Sequence, residues 1–176
     1  MDRKENLVLV DFDNTLFFGD ESLRHAERDM FGRLLAKREL KSLDRRVRFK
    51  LHALAYTKYH HLIRPHREMI ERVKKIDGAK TIIMSARGES LRALTEALLA
   101  EQEIKVDGLL LRNKQEMKMH DEEWKLMQVR HFMRRYRQLS AYEDKLENLE
   151  YIRRHINEPK RLHLFLVLPG RVRKIG

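Results

Sequence analysis

The chain has 176 residues, of which 42% are hydrophobic, so it can form one core but not two full domains. It contains no cysteine, which excludes disulfides and thiolate metal sites. No apolar run reaches the ~18–20 residues of a membrane span, and no signal-like region follows the charged N-terminus, so we expect a cytoplasmic protein. The net charge of +11 favours anionic partners such as nucleic acid or phosphorylated metabolites.

The first predicted element is a buried strand that ends in charge. Residues 7–10 are apolar and β-prone, and Asp11 and Asp13 follow with Phe12 between them. Side chains alternate along an extended chain, so the two carboxylates lie on one side. The carboxyl ends of strands in α/β sheets bind ligands, and close carboxylates require a cation or a shared proton. The alternative is a polar turn, because Asp and Asn are common in turns.

A helical segment is predicted after this strand. Apolar residues recur at helical spacing over 21–41, and Ser42 is a candidate cap for a second helix that ends near Pro65. Pro65, at a first-turn position, predicts a third helix. The connection between two parallel strands needs about a dozen or more residues. Segment 19–64 is additional to the residues that this connection requires.

The helical segment is strongly basic. Between Glu21 and Arg64 it has 12 Lys and Arg residues against 5 Asp and Glu residues, which leaves +7 of the total charge of +11. His52, His60 and His61 are candidate phosphate contacts, although packing between helices is the more frequent role of such residues.

The second predicted strand, 81–84, ends at Ser85. We expect a helix from Glu89 onward, so that Ser85 and the backbone N–H groups of Ala86 and Arg87 face an anion. The alternative is that Ser85 is a simple helix cap.

The remaining elements continue the alternation of strands and helices. They are strand 106–111, a helix that begins with acidic residues 121–123, strand 139–142, a helix over 146–156 and strand 162–168. Lys125 stands in the first turns of the first of these helices, and Glu143 and Asp144 close strand 139–142. The basic tail 171–174 is expected to be mobile. This alternation predicts an α/β fold with a doubly wound parallel sheet.

Four segments, taken in order, resemble the four motifs of the haloacid dehalogenase (HAD) superfamily. They are DFDNT at 11–15, Ser85-Ala86-Arg87, the helix-borne Lys125, and Glu143-Asp144. The resemblance spans 7–168 and implies a Rossmann-like core domain formed by 1–18 and 65–176. It also implies that 19–64 is a small helical cap inserted after the first strand.

The resemblance implies roles for these residues in phosphate chemistry. Asp11 would be the nucleophile that forms an aspartyl-phosphate, and Asp13 the general acid/base. Ser85 and Lys125 would stabilise the phosphate, with Lys114 and Lys118 as competing lysines. The substrate-binding candidates are Asn14, Thr15, Ala86 and Arg87.

The resemblance also implies a Mg²⁺ site. Its ligands would be Asp11, the main-chain carbonyl of Asp13, and the acids Glu143 and Asp144. Glu143 departs from the Asp-Asp pair that is frequent in the superfamily, so Asp144 is the stronger candidate.

A finer resemblance lies in Lys125 and the later strand followed by Tyr-Glu-Asp-Lys. It is similar to the phosphatase domains of polynucleotide kinase/phosphatases and of Swiss Army Knife RNA-repair-like HAD proteins. We therefore expect a Mg²⁺-dependent phosphomonoesterase acting on RNA or DNA end phosphates. The alternatives are a small-metabolite phosphatase and a non-catalytic nucleic-acid-binding protein. The preferred end, 3′ or 5′, and the oligomeric state stay open.

Overall fold

The computed structural model describes residues 5–175. The strands are β1 (Asn6–Val10), β2 (Phe17–Phe18), β3 (Arg64–Pro65), β4 (Ala79–Gly88), β5 (Gly108–Arg112), β6 (Gln138–Glu143), β7 (Leu162–Leu168) and β8 (Arg171–Ile175). The α-helices are α1 (Asp20–Phe31), α2 (Lys37–Ser42), α3 (Arg45–Thr57), α4 (Arg67–Lys74), α5 (Arg92–Glu101), α6 (Asp121–Met133) and α7 (Leu146–His155). Over residues 5–175, no helix has the length and apolar character needed to cross a membrane.

Six strands form one sheet in the order β5-β4-β1-β6-β7-β8. β1 pairs in parallel with β4 on one side and with β6 on the other. The chain moves outward from β1 to β4 and β5, and then adds β6 and β7 on the opposite side. Because parallel crossovers are right-handed, these two directions place their helices on opposite faces of the sheet. The predicted doubly wound parallel sheet is confirmed, and the direction in which successive strands are added reverses at β1.

The chain divides into two compact units. We call one the core unit, which contains the described residues of Met1–Leu16 and His66–Gly176. The other, Phe17–Pro65, is called the insertion unit. It contains α1, α2 and α3, and a short antiparallel pairing of β2 with β3 brings its two ends together.

Packing between α6 and the sheet builds the main core. Leu7 and Leu9 of β1 belong to the same buried cluster as Trp124 and Leu126 of α6. Trp124 is fully buried, and burying a large aromatic side chain of this kind stabilises the fold by several kcal/mol, on the order of 3–5 on truncation to Ala. Lys125, which lies between Trp124 and Leu126, is therefore held against the sheet.

The helix boundaries at 21–42 differ from the prediction. Gly32 has φ +68 and ends α1 at Phe31, because this left-handed backbone conformation cannot continue a helix. Asp44, not Ser42, caps α3: its side chain accepts a hydrogen bond of 2.8 Å from the Arg46 N–H. A carboxylate satisfies a free N–H at a helix start as well as a hydroxyl does.

The region around Pro65 also differs from the prediction. α3 ends at Thr57 and is followed by a 3-10 turn, His60–Leu62. Pro65 pairs with Phe17 in the antiparallel β2–β3 ladder, and the next helix, α4, begins two residues later at Arg67.

The C-terminal tail is a strand, so the expectation of a mobile tail is wrong. β8 pairs with β7 in antiparallel fashion, and Gly170 with φ +71 makes the tight turn between them. The basic side chains of β8 suit an edge strand, because charge at an edge discourages pairing with other sheets.

Candidate active site

The register of the sheet brings three strand ends together. Val10, the last residue of β1, lies opposite Ile83 of β4 and Tyr142 of β6. The Asp11 N–H extends this ladder by donating to the Tyr142 carbonyl at 2.9 Å. Asp11 therefore lies beside Glu143, which follows Tyr142, at the carboxyl edge of the sheet. This is the edge where α/β sheets bind ligands.

Lys125 connects two of these acids. Its Nζ donates to Asp11 Oδ1 at 2.7 Å and also to Glu143 Oε2. The three side chains are at most 6% exposed. Buried charges are tolerated only when they are paired. Here one ammonium group contacts two carboxylates, so it compensates their negative charge incompletely.

This incomplete compensation is visible in the pKa values. Burial, and then the nearby Glu143, raise the pKa of Asp11 to about 7, although Lys125 opposes the change. Burial likewise raises the pKa of Glu143 and of Asp144. Burial alone would lower the pKa of Lys125, but the surrounding carboxylates raise it well above its usual range, so this lysine stays charged.

Asp11, Glu143 and Asp144 form the group suited to a metal ion. Each offers a carboxylate oxygen, and these oxygens all lie within 4.8 Å of one another. Oxygen donors and excess negative charge fit a hard divalent cation such as Mg²⁺. The sequence left open which of Glu143 and Asp144 takes part, and the geometry brings both to the cluster. The side chain of Asp13 is not part of this group.

Arg87 holds Asp13 instead. The Arg87 guanidinium donates from Nη2 to Asp13 Oδ1 at 2.7 Å and from Nε to Asp13 Oδ2 at 3.0 Å. It also donates to the Thr95 hydroxyl at 3.2 Å and lies over the Phe12 ring, 4.3 Å from its centroid. Its side chain is only 2% exposed, so Arg87, predicted as a substrate contact, is placed to position Asp13.

The residues after Ser85 continue the strand, which the sequence predicted to end at Met84. β4 continues to Gly88, whose partner is Arg112 of β5, and α5 begins only at Arg92 after a 3-10 turn. The N–H of Arg87 donates to Ser85 Oγ at 3.3 Å. Ala86 and Arg87 are therefore strand residues, and the helical structure expected from Glu89 begins there as the 3-10 turn Glu89–Leu91. Ser85 itself is fully buried, and its Oγ lies 3.5 Å from Asp13 Oδ2.

The turn after Asp11 orients two further predicted residues. Asn14 has φ +60, a left-handed conformation that asparagine adopts more readily than most residues. The turn lets the buried Thr15 hydroxyl donate to Asp11 Oδ2 at 3.3 Å. Of the three candidate lysines, Lys125 contacts Asp11, whereas Lys114 and Lys118 are exposed on the segment after β5.

Sequence reasoning missed a polar network around Asp121. Its carboxylate accepts hydrogen bonds from Arg112 Nη2 at 3.0 Å, Lys145 Nζ at 2.7 Å and Asn148 Nδ2 at 3.3 Å. The sequence indicated only that an acid at this position suits a helix N-terminus. The signal that could have indicated this network was Arg112, which, like Asp11 and Glu143, is a charged residue at the end of an apolar strand.

Comparisons with known proteins support the fold. No protein-family model and no curated protein matches the sequence. Solved structures do match: a haloacid dehalogenase-like family hydrolase from Streptococcus pneumoniae has a TM-score of 0.61 at 10% identity, over 86% of this chain and 81% of that one. A protein described as a beta-phosphoglucomutase from Thermotoga maritima has a TM-score of 0.57 at 15% identity, over 89% and 83% of the two chains.

A third similar structure belongs to a larger assembly. A chain of the Pnkp1/Rnl/Hen1 complex has a TM-score of 0.59 at 20% identity. The match covers 94% of this chain but 47% of that chain, so the protein spans about half its length. The predicted resemblance to HAD-superfamily phosphatases is thus confirmed at the level of the fold.

Proposed function

We propose that this protein is a Mg²⁺-dependent phosphomonoester hydrolase that works through an aspartyl-phosphate on Asp11. The observation that carries the proposal is the buried group at the sheet edge, where Lys125 contacts Asp11 and Glu143 and where three carboxylates can share a cation. We also propose that 19–64 acts as a cap domain on a core domain formed by 1–18 and 65–176.

In the first step, a carboxylate oxygen of Asp11 attacks the phosphorus of the substrate. The bond from phosphorus to the leaving oxygen breaks as the new bond to Asp11 forms, and Asp13 gives its proton to the leaving oxygen. Lys125 keeps Asp11 oriented and offsets negative charge as the phosphate approaches. The Ser85 hydroxyl is a candidate donor to a phosphoryl oxygen.

In the second step, Asp13 takes a proton from a water molecule as the water oxygen attacks the same phosphorus. The bond between phosphorus and Asp11 breaks, and inorganic phosphate leaves. Arg87 acts as a positioning residue here, because its two hydrogen bonds fix the carboxylate that must reach the water.

Asp11, Glu143, Asp144 and the main-chain carbonyl of Asp13 would hold the metal ion. When bound, Mg²⁺ would supply positive charge that offsets the repulsion between the acids and the substrate phosphate. The fit rests on the oxygen donor set and on the excess of carboxylates over ammonium groups in the cluster.

For the substrate, we propose nucleic-acid end phosphates. The net charge of +11 and the sequence resemblance to polynucleotide phosphatase domains support this choice, and the fold likeness to a chain of the Pnkp1/Rnl/Hen1 complex agrees with it. The alternatives are a small-metabolite phosphatase and a non-catalytic nucleic-acid-binding protein.

Phosphate release tests the proposal. Wild type and Asp11→Asn are assayed with a 3′-phosphorylated oligonucleotide, a 5′-phosphorylated oligonucleotide and an aryl phosphate, each with Mg²⁺ and with EDTA. We expect Mg²⁺-dependent release from one oligonucleotide end and a loss of at least about 1,000-fold in Asp11→Asn, because a carboxamide is a far weaker nucleophile.

Glu101→Gln is the matched control, because it removes one carboxylate charge from an exposed position at the end of α5. Its activity should equal that of wild type. Turnover of the aryl phosphate alone would favour the metabolite alternative. No release from any substrate by folded protein in Mg²⁺ would overturn the enzymatic proposal and favour the binding protein.

A further inference from the structure

The insertion unit contains a groove of about 610 Å³, which falls in the ~300–1,000 Å³ range of ligand sites. Three arginines line it, Arg24 and Arg28 of α1 and Arg64 of β3, together with the acids Asp20 and Glu21, the apolar Phe18 and Leu62, and His25. All of these residues belong to Phe17–Pro65. None of them is among the residues that the sequence indicated as phosphate contacts.

Two arginines of the groove have no acidic partner within residues 5–175. Arg24 and Arg28 are exposed and four residues apart, so they share one face of α1. No carboxylate in the described part of the chain forms an ion pair with either of them, and like charges at this spacing destabilise a helix by about 0.2–0.5 kcal/mol. Arg28 lies in the last turn of α1, where a cation interacts favourably with the helix dipole. Neither guanidinium is neutralised by an ion pair within residues 5–175, so both can contact an anionic ligand.

The acids of the groove do not cancel its charge. Glu21 is held in an ion pair with Arg64, which leaves Asp20 as the remaining acid of the lining against Arg24 and Arg28. Across Phe17–Pro65, the sequence has 12 Lys and Arg residues against 6 Asp and Glu residues, a net charge of +6. The groove thus lies in a positive field that attracts an extended anion.

An aromatic side chain is present beside these cations. Phe18 of β2 lines the groove and is partly exposed. His25 is also in the lining, and its ring packs against Tyr59, with the ring centroids 5.4 Å apart. Cationic grooves that also offer rings are the usual means of holding single-stranded nucleic acid, because the cations contact phosphates while the rings stack on bases.

We propose that this groove binds single-stranded nucleic acid, with Arg24 and Arg28 contacting phosphates of the strand. The inference deepens the proposed function and rests on it for the link between strand binding and phosphate release. Binding itself requires neither the metal ion nor Asp11, so it can be measured without catalysis.

The test is binding of a fluorescein-labelled, twelve-residue oligonucleotide without a terminal phosphate, in EDTA, across a range of salt concentrations. The proteins are wild type, Asp11→Asn, and the double variant Arg24→Gln/Arg28→Gln. We expect about tenfold weaker binding by the double variant at low salt. Its slope of log Kd against log salt should fall by about 1.4, which is two phosphate contacts at about 0.7 each.

Lys37→Gln/Lys41→Gln is the matched control. These exposed lysines are also four residues apart, on α2 of the same unit, and do not line the groove. Far-ultraviolet circular dichroism and thermal melting confirm that each variant is folded. The control should bind like wild type, as should Asp11→Asn.

Equal losses of affinity in the two double variants would contradict binding in the groove, because they would mean that the overall positive charge of the unit is sufficient to bind the strand. Equal affinity for a duplex of the same sequence would overturn the single-strand assignment. If the proposed catalysis fails, Asp11→Asn and wild type are both inactive on phosphorylated ends while the binding result stands. If instead the groove does not bind the strand, metal-dependent phosphate release from the aryl phosphate should still be observed.

Discussion

The two units differ in how they place the positive charges of their candidate sites. In the core unit, Lys125 and Arg87 have side chains only 2% exposed, and each is hydrogen-bonded to carboxylates. In the insertion unit, Arg24 and Arg28 are exposed and have no acidic partner within the described residues. Ion pairs that do occur there, such as Lys58 with Asp29, are largely exposed to solvent.

The difference follows from the cost of removing charge from water. A buried ammonium or carboxylate without a partner is too costly to persist, so burial fixes both the partner and the geometry. An exposed arginine remains hydrated and is available to a ligand. The buried charges of the core unit are therefore expected to control chemistry and stability, whereas the exposed arginines of the groove in the insertion unit are expected to control binding.

The largest effect is expected from Lys125→Met. This change leaves Asp11 and Glu143 buried beside each other without their shared ammonium, which should cost about 3–5 kcal/mol in the free energy of unfolding. Phosphatase activity should also be lost. Urea denaturation in EDTA measures the cost, and added Mg²⁺ should restore part of it, because the ion would neutralise the same carboxylates.

Lys105→Met is the control for this change, since Lys105 is exposed and has no ion pair in the part of the chain that the structure describes. Its free energy of unfolding should stay within about 0.5 kcal/mol of wild type. A Lys125→Met protein as stable as wild type would break the contrast between the two units.

The positions of three neighbouring strands were the most predictable features of the core unit. Apolar runs that stop at Asp11, Ser85 and Glu143 locate three neighbouring strands, because parallel strands of one sheet end at the same edge. The helical period likewise located α6 and, through the HAD resemblance, Lys125. These features depend on local composition, which the sequence records directly.

Contacts that depend on tertiary packing were not predictable. The ion pair between Arg87 and Asp13 joins residues 74 positions apart, and Arg87 lies where β4 runs on to Gly88, beyond the predicted end of the strand at Met84. The pairing of Gly88 with Arg112 of β5 imposes that extension. In the insertion unit, the many basic residues indicated an anionic partner. Selecting Arg24 and Arg28 among them required the structure, which identifies the cations that form no ion pair within the described residues.

A smaller effect is expected from Asp121→Asn, at about 1–3 kcal/mol near pH 7. Burial alone would raise the pKa of Asp121, but Lys125, Lys145 and Arg112 lower it far below its ordinary value of 3.8. An acid with a lowered pKa stabilises the fold above the pKa of the unfolded chain and loses that contribution as the pH falls. The difference between wild type and Asp121→Asn should therefore be full at pH 6–7 and shrink progressively below about pH 4.

Unfolding free energies of the two proteins at pH 7 and at pH 3 measure this difference. Asp11 is present in both proteins and its own titration cancels in the comparison, whereas the Asp121 charge contributes to the raised pKa of Glu143. A difference that stayed constant from pH 7 to pH 3 would show that Asp121 acts through shape and not through its charge.

The smallest effect is expected from Lys58→Gln in the insertion unit. Lys58 Nζ lies 2.8 Å from Asp29 Oδ2, close to the 2.7 Å between Lys125 and Asp11, but the Lys58 side chain is 56% exposed. Water screens such a pair and the long side chain gives up rotamer entropy to form it, so the urea midpoint should not change measurably. Equal midpoints for wild type and Lys58→Gln at low and at high salt would support this reading. A midpoint that fell at low salt and recovered at high salt would mean that exposed pairs also stabilise the insertion unit, and burial would then not be what separates the two units.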